Sequence, residues 1–125
     1  MSCGALRQDL SMVKGSSKTL RLTVYGEDGE LLNLTGATLY FTVKNSTLVT
    51  TLFAKVSSNV AQIEILTQSG LTLGQADVKI VPSDTSSAAA ATYTYDAWAV
   101  LSSGKRYQII PNSSFVLTAP VTVIP

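Results

Sequence analysis

Eight carboxylates, Asp9, Glu27, Asp28, Glu30, Glu64, Asp77, Asp84 and Asp96, are the side chains here with the charge for acid–base work. Hydrolysis of a glycoside needs two of them held roughly 5 to 10 Å apart across a cleft. Glu27, Asp28 and Glu30 crowd one turn around Gly26 and Gly29, where they cannot flank a substrate. They read as a solvated hairpin tip, and the stretch lacks the spaced oxygen ligands of a calcium loop. Glu64 and Asp77 fall on the outward faces of expected strands, with Lys44, Lys55 and Lys79 as cross-sheet partners. Such pairs are worth roughly 0.2 to 1 kcal/mol each and carry no catalytic message. Asp96 differs, because it sits inside a strand between Tyr95 and Trp98. Strict alternation sets Thr94, Asp96, Trp98 and Val100 on one face and Tyr93, Tyr95, Ala97 and Ala99 on the other, and one face must be core. A buried Asp96 requires a backbone or Arg partner. An exposed one leaves Trp98 and Val100 as an apolar patch for another subunit.

The other reactive groups lack helpers. Thirty of the 125 residues are Ser or Thr, yet there is no histidine. That removes the usual general base, the Ser–His pair and the commonest zinc ligand, so the serines read as nucleophiles with nothing to activate them. Gly26 and Gly29 bracket Glu27 and Asp28, whose charge repels a phosphate. Cys3 is the single cysteine, so no intramolecular disulfide or thiolate cluster is expected. A net charge of +1 offers no footprint for nucleic acid. No apolar run approaches the ~18 to 20 residues of a membrane span, and Met1 to Leu10 lacks the apolar stretch of a secretion signal. The expectation is a non-enzymatic protein made in a cytoplasm, with no catalytic residues, cofactor, metal, nucleic acid or membrane partner.

The elements that must position these residues are strands, since Thr and β-branched aliphatics pack well on a pleated surface. Period-two alternation predicts strands over Thr19–Tyr25, Ala37–Lys44, Leu48–Val56, Val60–Leu66, Ala76–Val81 and Thr92–Leu101. A short piece at Leu31–Leu34 follows the Asp28-Gly29 turn. Pro82 to Ala91 reads as a helical turn of little independent stability. Arg106–Ile110 is expected to end at Pro111 to Ser114, and Phe115–Ile124 to form the last strand, with Pro120 marking an edge or a break. Phe41, Phe53 and Phe115 read as core, whereas Tyr25, Tyr40, Tyr93, Tyr95 and Tyr107 could dress a surface. About seven to nine short strands without long helices predict an all-β, antiparallel β-sandwich or barrel. Residues 1–17 form either an extra edge strand or an arm, and residues 18–125 the domain.

Leu20-Arg21-Leu22-Thr23-Val24-Tyr25, Asp28-Gly29-Glu30, Leu34-Thr35-Gly36-Ala37-Thr38 and Phe41-Thr42-Val43-Lys44 run in sequence. With Thr92-Tyr93-Thr94-Tyr95-Asp96, a Ser-Gly-Lys turn and a closing Val-Thr-Val strand, they resemble the N-terminal immunoglobulin-like domain of phage baseplate upper proteins. The resemblance covers roughly residues 15 to 124. It departs at Ala88 to Ala91, where the family usually carries a glycine, and the larger baseplate proteins continue into receptor-binding or assembly modules. The resemblance implies an immunoglobulin-like sandwich in a tailed-phage virion; the family does not decide its position, and the tail, neck or baseplate is the expected one. Its partners would be other virion proteins and copies of itself, in a homo-oligomer or symmetric ring. A head decoration protein and a carbohydrate-binding or host-adhesion module are the alternatives. Leu6, Leu10, Met12, Tyr25, Trp98, Val121 and Val123 are the candidate assembly contacts.

Overall fold

Alternating apolar side chains give each strand one dry face, and two sheets are needed to cover those faces. The computed structural model describes residues 8–121. In chain order the elements are β1 (Leu10–Val13), β2 (Lys18–Thr23), β3 (Thr38–Lys44), β4 (Thr51–Val56), β5 (Ile63–Ile65), β6 (Gln75–Ile80), the helical turn α1 (Pro82–Thr85), β7 (Ala91–Val100) and β8 (Arg106–Thr118). One sheet has the order β1-β8-β7-β3-β4 and the other β2-β6-β5. All pairings are antiparallel except β1 with β8, which is parallel.

The larger sheet contributes an aromatic plate to the core and the smaller one an aliphatic cover. Phe41 lies 5.2 Å from Tyr95 and 6.2 Å from Phe53, between ring centroids. Phe115 meets Tyr95 and Phe53 edge-on at 6.1 and 6.0 Å, the geometry ring quadrupoles favour. Leu20, Leu22, Ile63, Val78 and Ile80 close over them from the other sheet. Tyr93 opens β7 and donates its hydroxyl to the Ala89 carbonyl at 2.7 Å, four residues back, after the β6–β7 connection. This is the tyrosine corner of immunoglobulin-like sandwiches, and the two sheets carry that fold's strand arrangement. Two residues beyond the corner, where antibody domains place a disulfide cysteine, stands Tyr95.

Several expectations change. The strand expected to stop at Pro111 continues to Thr118, because two single-residue shifts in register absorb the proline. Ala97 faces Ile110 where the pairing of Trp98 with Gln108 would place Ile109, and Tyr95 then faces Ser113. A bulge needs no ladder donor from Pro111, and it resets the alternation so that Phe115 and Leu117 point inward like Ile110. Pro120 lies past the strand. The strand expected from Leu48 starts at Thr51, since Asn45 to Thr50 form a loop; the one expected from Val60 to Leu66 shrinks to Ile63–Ile65. Leu31 makes only an isolated bridge with Tyr25. Over Leu10–Val13 the N-terminal segment is an edge strand. It is tied down by Tyr95 Oη donating to the Gln8 carbonyl, by Gln8 N–H to Ser113 Oγ at 3.0 Å, and by Ser114 N–H to Asp9 at 3.0 Å.

Lys79 pairs with Glu64 at 2.9 Å, while Asp77 takes Arg21 rather than a lysine. Lys55 is a correction: it points into the interior of β4, 7% exposed, and pairs with Asp84 of α1 at 2.6 Å. Its ammonium stands 5.7 Å from the Phe53 ring centre. Asp84 also accepts the Val81 N–H at 2.8 Å, so one carboxylate caps α1 and neutralises the buried cation. Removing one member of a buried pair strands the other. Asp84→Ala is expected to cost about 3 kcal/mol, and Lys55→Met/Asp84→Ala to recover most of it; urea unfolding of both variants measures this.

Burial raises the Tyr95 phenol above its ordinary pKa, and the Asp9 charge adds to the shift. The fold therefore favours the protonated phenol. Its contribution is complete below the unfolded value of about 10 and is lost as pH rises from there toward the folded value. Tyr95→Phe should cost about 1 kcal/mol at neutral pH and flatten the alkaline fall in stability, read from unfolding midpoints across a pH series.

Candidate functional site

With Tyr95, Ala97 and Ala99 buried, the other side of β7 faces outward. Sheet pairing then decides its neighbours. Tyr40 of β3 lies directly opposite Trp98, with Val56 of β4 beyond Tyr40 and Gln108 of β8 beyond Trp98. Side chains directly opposite on adjacent strands are within contact range, so Tyr40 and Trp98 form the aromatic centre of this row. They remain 42% and 38% exposed. Trp98 Nε1 donates to Asp96 Oδ2 at 2.9 Å, which satisfies the indole and holds the carboxylate along the strand.

The next row pairs Thr42 with Asp96, and the one after it Lys44 with Thr94. Asp96 has no β8 partner, because the register shift falls opposite it. Beside it is a shallow groove of about 310 Å³ lined by Thr42, Lys44, Leu48, Thr94, Asp96 and Asn112. Among the described residues no carboxylate pairs with Lys44, whose neighbours in the groove are hydroxyls, an amide and Asp96.

The β3–β4 loop overhangs this end. Asn45 organises it by accepting the Val49 and Thr50 N–H groups at 3.0 and 3.3 Å through Oδ1 and the Leu48 N–H at 2.9 Å through its carbonyl. The arrangement forces Leu48 into the left-handed region at φ 62°, which costs a β-carbon-bearing residue roughly 1 to 2 kcal/mol. Leu48 and Val49 project as an apolar tip, Val49 being 80% exposed.

The groove holds one carboxylate and no nucleophile–base pair. Two Ser-x-x-Lys spacings, Ser11/Lys14 and Ser102/Lys105, bear on the reading of the serines as nucleophiles with nothing to activate them. The first lies along and just beyond edge strand β1, the second in the β7–β8 turn, and no hydrogen bond joins serine to lysine in either. Glu27 accepts from the Tyr107 hydroxyl of β8 at 3.0 Å, and Asp28 accepts the Glu30 N–H at 3.0 Å, so that turn is bonded both to β8 and within itself. Among the described residues no three His, Cys, Asp or Glu side chains gather as a metal site.

The residues singled out from sequence do not converge. Met12 is buried and Leu10 packs half-buried against the same core, so both serve the interior and neither is a free contact. Tyr25 is exposed beside the acidic turn, and Val121 is fully exposed past β8. Leu6 and Val123 lie outside the described residues. Trp98 alone stands on the grooved face. Tyr40, Lys44 and Leu48 were missed as its companions. Alternation around Leu39, Phe41 and Val43 already turned Tyr40 and Lys44 outward, but only register brings them beside β7. Compared with protein-family models and with curated proteins, the sequence matches none.

The strained loop gives a direct check. Asn tolerates the left-handed region, so Leu48→Asn should leave the fold intact and raise its stability by up to about 1 kcal/mol, measured by thermal unfolding.

Proposed function

We propose that this chain is a non-enzymatic structural component of a tailed-phage virion, assembling at the tail, neck or baseplate through protein–protein contacts. The observation that carries the reading is the outer face of the five-stranded sheet, uncovered among the described residues, with Tyr40 and Trp98 exposed at its centre. Exposed Trp and Tyr on a rigid scaffold suit protein recognition, since each offers a large, stiff contact area. The resemblance to the immunoglobulin-like domain of phage baseplate upper proteins supplies the virion context. Its segments fall on structural positions: Leu20 to Thr23 on β2, Asp28-Gly29-Glu30 at a turn, Phe41 to Lys44 on β3, and Thr92 to Asp96 on β7. In this reading the protein is made in the bacterial cytoplasm and ends in the particle, bound to other virion proteins and to copies of itself.

Head decoration is the alternative within the same class. A carbohydrate-binding or adhesion role draws on the same Trp98 and Tyr40 beside the Asp96 and Asn112 groove. Loss of glycan-array binding on Trp98→Ala would favour it.

Copy number discriminates. Quantitative mass spectrometry of purified particles, normalised to the major capsid protein, should give a small number that fits a cyclic ring. Hundreds of copies would move the protein to the head surface or the tail tube. None would remove it from the virion.

A further inference from the structure

The outer face of the larger sheet carries its own complement. Lys44 and Asp96 line one groove on neighbouring strands, one register row apart, and do not pair with each other. Each is half-buried in an open face and forms no ion pair within the chain, Asp96 accepting only the Trp98 indole N–H among side chains. We propose that this face binds a second copy of the chain about a two-fold axis, with Lys44 of each copy against Asp96 of the other. In an isologous contact residue i meets j and j meets i, so one Lys44 and one Asp96 per copy generate two ion pairs across the axis. A net charge of +1 leaves little repulsion between copies to oppose this.

Area sets the size class. Five strands about 4.8 Å apart and about 20 Å long present about 500 Å² a side, hence about 1,000 Å² for the pair, the lower limit for a specific interface. An interface at that limit is of the weak, transient class. The two charge pairs flank the axis and set the registry, while Trp98, one row from Asp96, and Tyr40, two rows from Lys44, add apolar contact to one side of it. The inference rests on this face alone and holds whether or not the chain belongs to a virion.

Sedimentation velocity of the full chain over a concentration series tests it. The wild type should pass from monomer to dimer as concentration rises, and added salt should weaken the dimer. Lys44→Glu and Asp96→Lys should each weaken it by at least about tenfold, because each puts like charges together at two symmetric places. Mixing the two single variants should restore association, since one then carries two cations in the groove and the other two anions. That rescue also shows that both variants are folded. Trp98→Ala should weaken the dimer at any salt concentration. A wild type that stays monomeric to millimolar concentration would overturn the proposal. So would a dimer indifferent to either charge reversal, or a mixture of the two variants that fails to associate.

Discussion

The inward placement of Tyr95 is the constraint on which the rest of this domain depends. Its ring sits between Phe41 and Phe115, and its hydroxyl reaches past the sheet to the Gln8 carbonyl, holding β1 against β8. It occupies the position where antibody domains cross-link their sheets, so packing between large rings replaces a covalent bond. Each such ring pair is worth about 0.5 to 1.5 kcal/mol beyond its buried area. Because a strand alternates, turning Tyr95 inward obliges Asp96 and Trp98 to face out. The core anchor and the outer site are two consequences of one choice of phase.

The second determinant is the irregularity of β8. Without its register shifts, Ile110 and Phe115 could not both reach the core, since they differ in parity along the strand. The same shifts remove the partner that Asp96 would otherwise have across the sheet, leaving Asn112 at the rim of the groove. Bulges recur where a side chain must be re-aimed, and here the re-aiming serves the core while it shapes the surface. The Leu48 loop adds a local backbone cost at the same groove.

The sheet edges are each blunted against pairing. β4 turns Lys55 inward, β5 spans three residues and β1 four, and β2 bears the long charged side chains of Lys18 and Arg21. Inward charges, short strands and flanking Lys or Arg are the devices that keep edges from pairing with other chains. With edges blunted in these ways, the broad outer face of the larger sheet remains as the surface suited to association.

Much of this was legible in the residues themselves. The alternation of Leu20 and Leu22, of Leu39, Phe41 and Val43, and of Ala76, Val78 and Ile80 carries its own inside and outside, so an all-β sandwich with a phenylalanine core follows from local pattern. Turn chemistry at Asp28-Gly29 was equally local. What the residues could not decide was phase and neighbourhood. Both faces of Tyr93 to Val100 are apolar enough to be core, and only the aromatic plate assembled from four strands selects Tyr95 over Trp98. Lys55 looks outward by composition, yet Asp84, distant in sequence, pays for its burial. Met12 looked like part of a reaching arm until β8 covered it. Pairing register and cross-strand partners depend on residues far apart along the chain; a one-residue slip reverses every side chain, so the tertiary structure alone could place Trp98, Tyr40, Asp96 and Lys44 on one surface.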